Sequence, residues 1–288
     1  MDAVVVTGGA GFIGSHLCER LVALGVRRVI SLDNYFTGTT MNHVPGVEYI
    51  VGRAEDISKL IKVAPTQVYH LGEYSRVEQS FEDIKVAYDY NKKGILEVLE
   101  FCRARGAKLI YAGSSTKFGD DGMARDASPY AWMKATNTEL VVNYDSWFTL
   151  PYAITYFYNV FGPREISTGK YATLIGIFRE RMRRSEPLGV ALPGVQKRNF
   201  THVVDVVDAL IEIGRSGHGD GYGIGSDDAF TIFEVAKMFG GEVEILPERP
   251  GNRMSGIVCS ESTKSLGWVP KRGLEDYILT LRRNEWSY

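Results

Sequence analysis

Over the first two thirds of the chain, short runs of β-branched and apolar residues alternate with longer stretches whose apolar positions recur every three or four residues. The runs Ala3–Thr7, Arg28–Leu32, Val47–Val51, Gln67–Leu71, Lys108–Ala112 and Tyr152–Phe157 predict strands. The stretches between them, Phe12–Leu24, Ile57–Val63, Phe81–Arg105 and Pro129–Trp147, predict helices; Val86, Ile95, Leu96, Val98, Leu99 and Cys102 carry the helical spacing in the third. Alternation of this kind predicts an α/β fold, a doubly wound parallel sheet with right-handed crossovers. After about Gly162 the pattern changes. Helices near Tyr171–Arg184, Val204–Arg215 and Ile232–Phe239 are separated by short strands and Gly/Pro-rich turns. The expected division is a Rossmann-like unit over residues 1–162, to which the chain returns around 198–215, and a smaller mixed lobe over most of 163–288.

Composition narrows the function classes. Hydrophobic residues make up 44% and charged residues 24% of 288, enough for a sizeable core. A net charge of −2 argues against a nucleic-acid or acidic-membrane partner, which needs a clustered basic surface. The run Arg179-Glu180-Arg181-Met182-Arg183-Arg184 reads as a solvated helix face. Cys18, Cys102 and Cys259 are odd in number and form no CxxC pair, which favours a reducing compartment. The five histidines show no metal-ligand spacing, so no metal is expected. With no signal-peptide pattern before the first strand and no bilayer-length apolar run, a cytoplasmic location is expected.

Chemistry first shows itself at Thr7-Gly8-Gly9-Ala10-Gly11-Phe12-Ile13-Gly14, which follows the first strand and opens the first helix. Gly8, Gly11 and Gly14 sit three apart, and Gly9-x-Gly11-x-x-Gly14 also matches the dinucleotide fingerprint, whose glycines serve a tight turn, backbone close to a pyrophosphate, and a helix packed close to its strand. The helix N-terminus adds free N–H groups and a positive dipole end. Asp33 ends the second strand run, nineteen positions beyond Gly14. A carboxylate there accepts hydrogen bonds from a ribose and repels a 2′-phosphate, so NAD is favoured over NADP.

Tyr130 and Lys134 lie four apart, behind a plausible N-cap and first helical residue in Ser128-Pro129, and share a helix face. A cation beside a phenol makes the phenolate a usable base near neutral pH. Tyr88 and Lys92 have the same spacing, so spacing alone does not choose. The strand end Ala112-Gly113-Ser114-Ser115-Thr116 does, because open α/β sheets bind ligands at strand C-terminal ends and a hydroxyl there can relay a proton. No such group precedes Tyr88.

Together these residues resemble the extended short-chain dehydrogenase/reductase family, and within it the UDP-galactose 4-epimerase-like group. The resemblance covers Thr7–Leu17, Leu32–Asn34, Tyr69–Leu71, the Tyr130/Lys134 pair and Phe157–Arg164. It continues through Arg198–Asp205, Arg249–Asn252 and Leu266–Pro270. It implies NAD as cofactor, a nucleotide-diphosphate sugar as substrate, and Ser114, Tyr130 and Lys134 as the catalytic set. By the same resemblance Gly8, Gly11, Phe12, Ile13, Gly14, Asp33, Asn34, Thr37, Gly38, Leu71, Gly72 and Phe157, with Tyr130 and Lys134, contact the cofactor. Ser115, Thr116, Asn159, Thr173, Leu174, Arg198 and Arg249 contact the substrate, the two arginines clamping the pyrophosphate. A homodimer is implied, with Phe81–Arg105 and Pro129–Trp147 paired across a two-fold axis as a four-helix bundle.

The chain also departs from that pattern. Arg53 stands where relatives have an Asp-Ile that holds adenine, Glu73 replaces a small apolar residue, Ser75 stands near a position that is Lys in some relatives, and the segment from Ser114 to Tyr130 is short. Dehydratases of this family place an Asp-Glu pair at positions 115 and 116, and decarboxylases place Glu at 116. Here both positions carry hydroxyls, which favours epimerisation at C4 through a transient ketone. A dehydratase or reductase of the same fold, or a silent NAD-binding scaffold, are the alternatives. In the group that the chain resembles, the residue a few positions after the motif at Arg249-Pro250-Gly251-Asn252 faces the substituent on the sugar C2. Ser255 and Gly256 are both small, so the resemblance implies room for an N-acetyl group and UDP-hexoses and UDP-N-acetylhexosamines as the expected substrates.

Overall fold

The structure, a computed structural model, describes residues 2–118, 125–248 and 258–288. Its first part runs β1 (Val4–Thr7), α1 (Phe12–Ala23), β2 (Val29–Asp33), β3 (Val47–Val51), α2 (Ile57–Leu60), β4 (Gln67–His70), α3 (Ile84–Tyr88), α4 (Gly94–Arg105), β5 (Lys108–Ser114), α5 (Pro129–Phe148) and β6 (Tyr152–Phe157). The second part comprises β7 (Val160–Phe161), α6 (Leu174–Arg183), β8 (Leu188–Ala191), β9 (Lys197–Asn199), β10 (Thr201–His202), α7 (Val203–Ser216), β11 (Gly219–Ile224), β12 (Ala229–Thr231), α8 (Ile232–Phe239), β13 (Val243–Leu246), α9 (Glu261–Lys264) and α10 (Leu274–Arg283).

Seven strands form one sheet in the order β11-β6-β5-β4-β1-β2-β3, every neighbouring pair parallel. This is the doubly wound α/β architecture. Side chains alternate across the sheet with the two-residue period of a strand. Val5, Ile30, Leu109 and Ile154 face one side and pack with Ile95, Val98, Leu99 and Val141 of α4 and α5. Val4, Val6, Ile110 and Ala153 face the other and pack with Leu17 and Leu21 of α1 and Val206, Leu210 and Ile213 of α7. A buried strand covered on both faces must be apolar at every position, and β1 is Val-Val-Val before Thr7. The sheet takes its last strand, β11, from residues beyond 200, after α7 has packed on α1.

A further apolar cluster joins Phe178 of α6, Leu188 and Val190 of β8, Val235 and Phe239 of α8 and Ile278 of α10. Here β8 pairs with β13 in parallel and β9 with β12 antiparallel. No helix among the described residues is long and apolar enough to cross a membrane.

Two expected helices come out differently. Ile57–Val63 shortens to α2, because Ile61 leaves the helix in an extended conformation and buries its side chain. The single helix expected over Phe81–Arg105 is divided into a 3₁₀ turn at Glu78–Phe81, α3, a π turn at Asp89–Lys93, and α4. The π turn brings Asn91 inward, where its carboxamide bonds the backbone N–H (2.7 Å) and C=O (3.0 Å) of Tyr74. Val86, expected on the buried face, is exposed.

Candidate active site

A cavity of about 790 Å³ opens at the C-terminal ends of β1, β2, β4, β5 and β6 and reaches across to α6 and β9. Strand order reverses between β1 and β4, and open α/β sheets place ligands at such a switch point.

Gly8, Gly11, Phe12, Ile13 and Gly14 form its floor between β1 and α1. Gly8 has φ +73°, and a Cβ on it would lie 2.9 Å from Gly72 Cα. A Cβ on Gly14 would stand 2.1 Å from the Gly8 carbonyl oxygen. Only glycine permits this approach of loop, helix and neighbouring strand end. No side chain caps the start of α1 and no acid lies in its first turn, so its N–H groups are left for an anion. Asp33, buried at the end of β2, accepts from Ala10 N–H (2.9 Å) and Tyr35 N–H (2.8 Å), which fixes its carboxylate beside the loop. Asn34, Thr37, Leu71, Gly72 and Phe157 line the same cavity. Gly38 is not on its wall: it packs against the Asp33 carboxylate, and a Cβ there would be 3.1 Å from either oxygen. These features fit a dinucleotide.

Ser128 caps α5 by accepting the Ala131 N–H at 3.1 Å, with Pro129 in the first turn. The cap sets the start of the helix, and hence the face on which Tyr130 and Lys134 fall. Both are buried, at 9% and 4% exposure, and both line the cavity. Tyr130 packs in an aromatic cluster with Tyr74, Met133 and Ala87, bordered by Tyr90 and Tyr171. Ser114, Ser115 and Thr116 lie on the same wall at the end of β5, where Ser114 Oγ and Thr116 Oγ1 are 2.9 Å apart. Tyr88 is 47% exposed and does not line the cavity, while Lys92 donates to Asn137 Oδ1 at 2.8 Å. The two Tyr/Lys pairs are thus separated by burial.

Farther out, Asn159, Thr173, Leu174 and Arg198 line the cavity. Asn159 takes a left-handed backbone (φ +35°) and donates to Asn199 O at 2.8 Å. The Thr173 hydroxyl caps α6 and donates to Glu165 at 2.6 Å. Burial pushes the Glu165 carboxyl up to about 7, against the hydrogen bond from Thr173 that lowers it. Arg53 lines the cavity with its guanidinium 4.8 Å from the Tyr90 ring centre and paired to Glu55 at 3.1 Å. Arg249, Ser255 and Gly256 lie outside the described residues.

Sequence reasoning misses Arg76, Asn91 and Asn137, and sees Glu73 only as a departure. Glu73 and Arg76 both line the cavity. Arg76 donates to Tyr171 O (2.9 Å from Nε) and Ser75 O (3.0 Å), and no acid pairs with it among the described residues. Burial lowers its pKa while Tyr130, Tyr74 and Tyr171 raise it. Asn91 and Asn137 carry no local signal; their roles come from the π turn and from contacts between α5 and the loop after β4.

A model of the NAD dependent epimerase/dehydratase family matches residues 4–225. UDP-glucuronic acid decarboxylase 4 of Arabidopsis thaliana is 30% identical over 299 residues, covering 94% of this chain and 66% of the relative. The chain therefore spans just under two thirds of that relative's length. Among solved structures, a UDP-glucose 4-epimerase of Thermus thermophilus in complex with NAD is similar with a TM-score of 0.87 and 29% identity, covering 99% of this chain and 98% of that one. A UDP-glucose 4-epimerase of Thermotoga maritima with UDP-glucose has a TM-score of 0.89 and 26% identity, covering 98% and 99%.

Proposed function

The chain belongs to the NAD dependent epimerase/dehydratase family, and from that premise we propose that it is a nucleotide-diphosphate-sugar 4-epimerase. One observation carries this reading. Ser114, Ser115, Thr116, Tyr130 and Lys134 converge beside the glycine cradle, while positions 115 and 116 hold hydroxyls and no acid. By the resemblance, dehydratases of this family carry an Asp-Glu pair at those positions and decarboxylases a Glu at 116, whereas inversion at one carbon calls for no further acid there.

In this reading residues 1–162, with the returning α7 and β11, form the NAD-binding unit, and most of 163–288 holds the sugar nucleotide. Gly8, Gly11, Gly14 and the N-terminus of α1 take the pyrophosphate of NAD and Asp33 takes its ribose. When bound, NAD supplies the acceptor for the hydride of the sugar carbon and its return. Tyr130 acts as the base that takes the C4 hydroxyl proton and returns it to the C4 oxygen when the keto-sugar, turned over, is reduced on its other face. Ser114 holds the reacting oxygen and passes the proton, with Thr116 fixing the Ser114 hydroxyl. Asn159 and Arg198 hold the diphosphate of the substrate, with Arg249 from the segment outside the described residues. The UDP-hexoses and UDP-N-acetylhexosamines are the proposed substrates, and the cytoplasm the proposed location.

The test is conversion without added cofactor. Purified protein is expected to interconvert a pair of UDP-sugars on its own, to release NAD when denatured, and to gain nothing from NADP. Chromatography of UDP-, dTDP-, GDP- and CDP-sugars separates the readings. A product with altered composition means a dehydratase, decarboxylase or reductase; no product from any sugar means a scaffold; recovery of NADP overturns the role of Asp33.

We further propose a homodimer. Ile84, Leu96, Trp132 and Trp147 are exposed apolar residues on α3, α4 and α5, which pack side by side. A second copy laid on that face would complete a four-helix bundle. Light scattering is expected to give twice 32.1 kDa. A monomer mass at micromolar concentration would refute it.

A further inference from the structure

A buried carboxylate occupies the amine of Lys134. Glu73 follows Gly72 at the end of β4, and its side chain is 3% exposed. One of its oxygens accepts from Lys134 Nζ and, at 3.0 Å, from the Tyr111 hydroxyl of β5. The other accepts from Asn137 Nδ2 of α5 at 3.2 Å and lies 3.4 Å from His70 Nε2. Lys134 also donates to Ala112 O, and its nitrogen stands 4.6 Å from the centre of the Tyr111 ring. Burial alone would raise the Glu73 carboxyl; Lys134 and His70 outweigh it and hold the group ionised, well below the usual carboxylate range.

Two opposite charges in contact cancel most of each other's field at a distance. A lone ammonium beside a phenol favours phenolate strongly; an ammonium already matched to a carboxylate does so weakly. Buried ion pairs seldom add net stability over apolar packing, so fold stability is a poor reason for this one. We propose that Glu73 is a positioning residue: it pins the Lys134 ammonium against the Ala112 carbonyl and screens its charge, and so sets the pH at which Tyr130 becomes available as a base. This rests on the reading of Tyr130 as the base.

The other charged and titratable groups around the site have defined places. Arg76, on the loop after Glu73, keeps its charge without an acid partner among the described residues. The Tyr74 and Tyr171 hydroxyls both donate to Asp83 at 3.0 Å, and Asp83 is paired with Lys170 at 2.9 Å. His70 is bonded to Thr7 Oγ1 at 2.7 Å. Lys92 feels the Glu73 charge and is linked to it by hydrogen bonds through Asn137. None of these is replaced in the test.

Glu73→Gln removes the negative charge and little volume, leaving the ammonium uncompensated. Tyrosinate absorbance is titrated in the NAD-bound protein, and each trace is corrected by the same background carrying Tyr130→Phe. The component so isolated is expected to move about one pH unit lower in Glu73→Gln, as an unscreened neighbouring charge would require. The acid limb of kcat/KM is expected to move with it. Tyr111→Phe serves as the structural control: it also costs Glu73 a buried hydrogen bond and lowers the melting temperature, but leaves the titration in place. If Glu73→Gln does not fold, Glu73→Asp keeps the charge yet draws it back from Lys134, and a smaller shift in the same direction is expected. No shift, a shift upward, or an equal shift in Tyr111→Phe overturns the proposal. The absorbance needs no substrate, so a protein that converts no sugar nucleotide yet shows the shift would sink the proposed function alone.

Discussion

Tyr130→Phe is expected to reduce turnover of any accepted sugar nucleotide by about 10²–10⁴-fold, the usual contribution of a general base. The substitution deletes one oxygen from a side chain already packed among Tyr74, Met133 and Ala87, so its volume and its apolar contacts survive. Sugar-nucleotide affinity, NAD content and melting temperature are expected to stay near those of the parent. The fall therefore belongs to kcat, with KM little changed, as for an interaction made only while the proton moves. Tyr88→Phe is the paired control, because Tyr88 has the same spacing to a lysine but stands 47% exposed and away from the cavity. Steady-state kinetics on both variants decides the matter. Equal losses in both, or in neither, would remove Tyr130 from the catalytic role.

The second large effect is expected at Gly14. Its Cβ in Gly14→Ala would meet Gly8 O at 2.1 Å, Gly8 C at 2.8 Å and Gly9 Cα at 2.9 Å, all of them backbone atoms of the loop that forms the cavity floor. Backbone cannot turn aside as a side-chain tip can, so the loop itself must move. Overpacking of this kind typically costs about 1–3 kcal/mol, and the displaced loop is the one proposed to hold the pyrophosphate. The variant is expected to purify without NAD and to melt several degrees lower. Gly25→Ala makes the same chemical change at φ +74° with nothing within 4 Å of the new carbon. It is expected to cost about 1–2 kcal/mol through conformation alone and to keep its NAD. Calorimetry with nucleotide analysis of the denatured supernatant separates the two. Full NAD content in Gly14→Ala would show that the close packing there is unrelated to cofactor binding.

How much of this was legible without coordinates differs by element. The strands Val47–Val51 and Tyr152–Phe157 and the helix Ile232–Phe239 have the bounds that the hydrophobic pattern predicts, because a strand or a short amphipathic helix answers to its own periodicity. The glycine spacing before α1 and the Tyr130/Lys134 pair were legible for the same reason. A tight turn and two residues one helical turn apart are local geometry, written within a few positions of chain. The α/β class followed from the order of these elements.

Contacts between distant segments decided the rest. The 3.6-residue pattern over Phe81–Arg105 cannot register the π turn at Asp89–Lys93, because what turns Asn91 inward is the backbone of Tyr74, on another element. Spacing cannot tell Tyr130 from Tyr88; the hydroxyl-bearing strand end ahead of Tyr130 points to it in the sequence, and burial against the loop after β4 separates the two in space. Glu73 and Lys134 are sixty-one positions apart and meet only because the sheet places β4 beside β5 and α5 packs over their ends. An ion pair of that range is a property of strand order and of exclusion of water. Residue types set which partners are chemically compatible, and the tertiary packing alone brings them within reach in a medium of low dielectric, where their charges count.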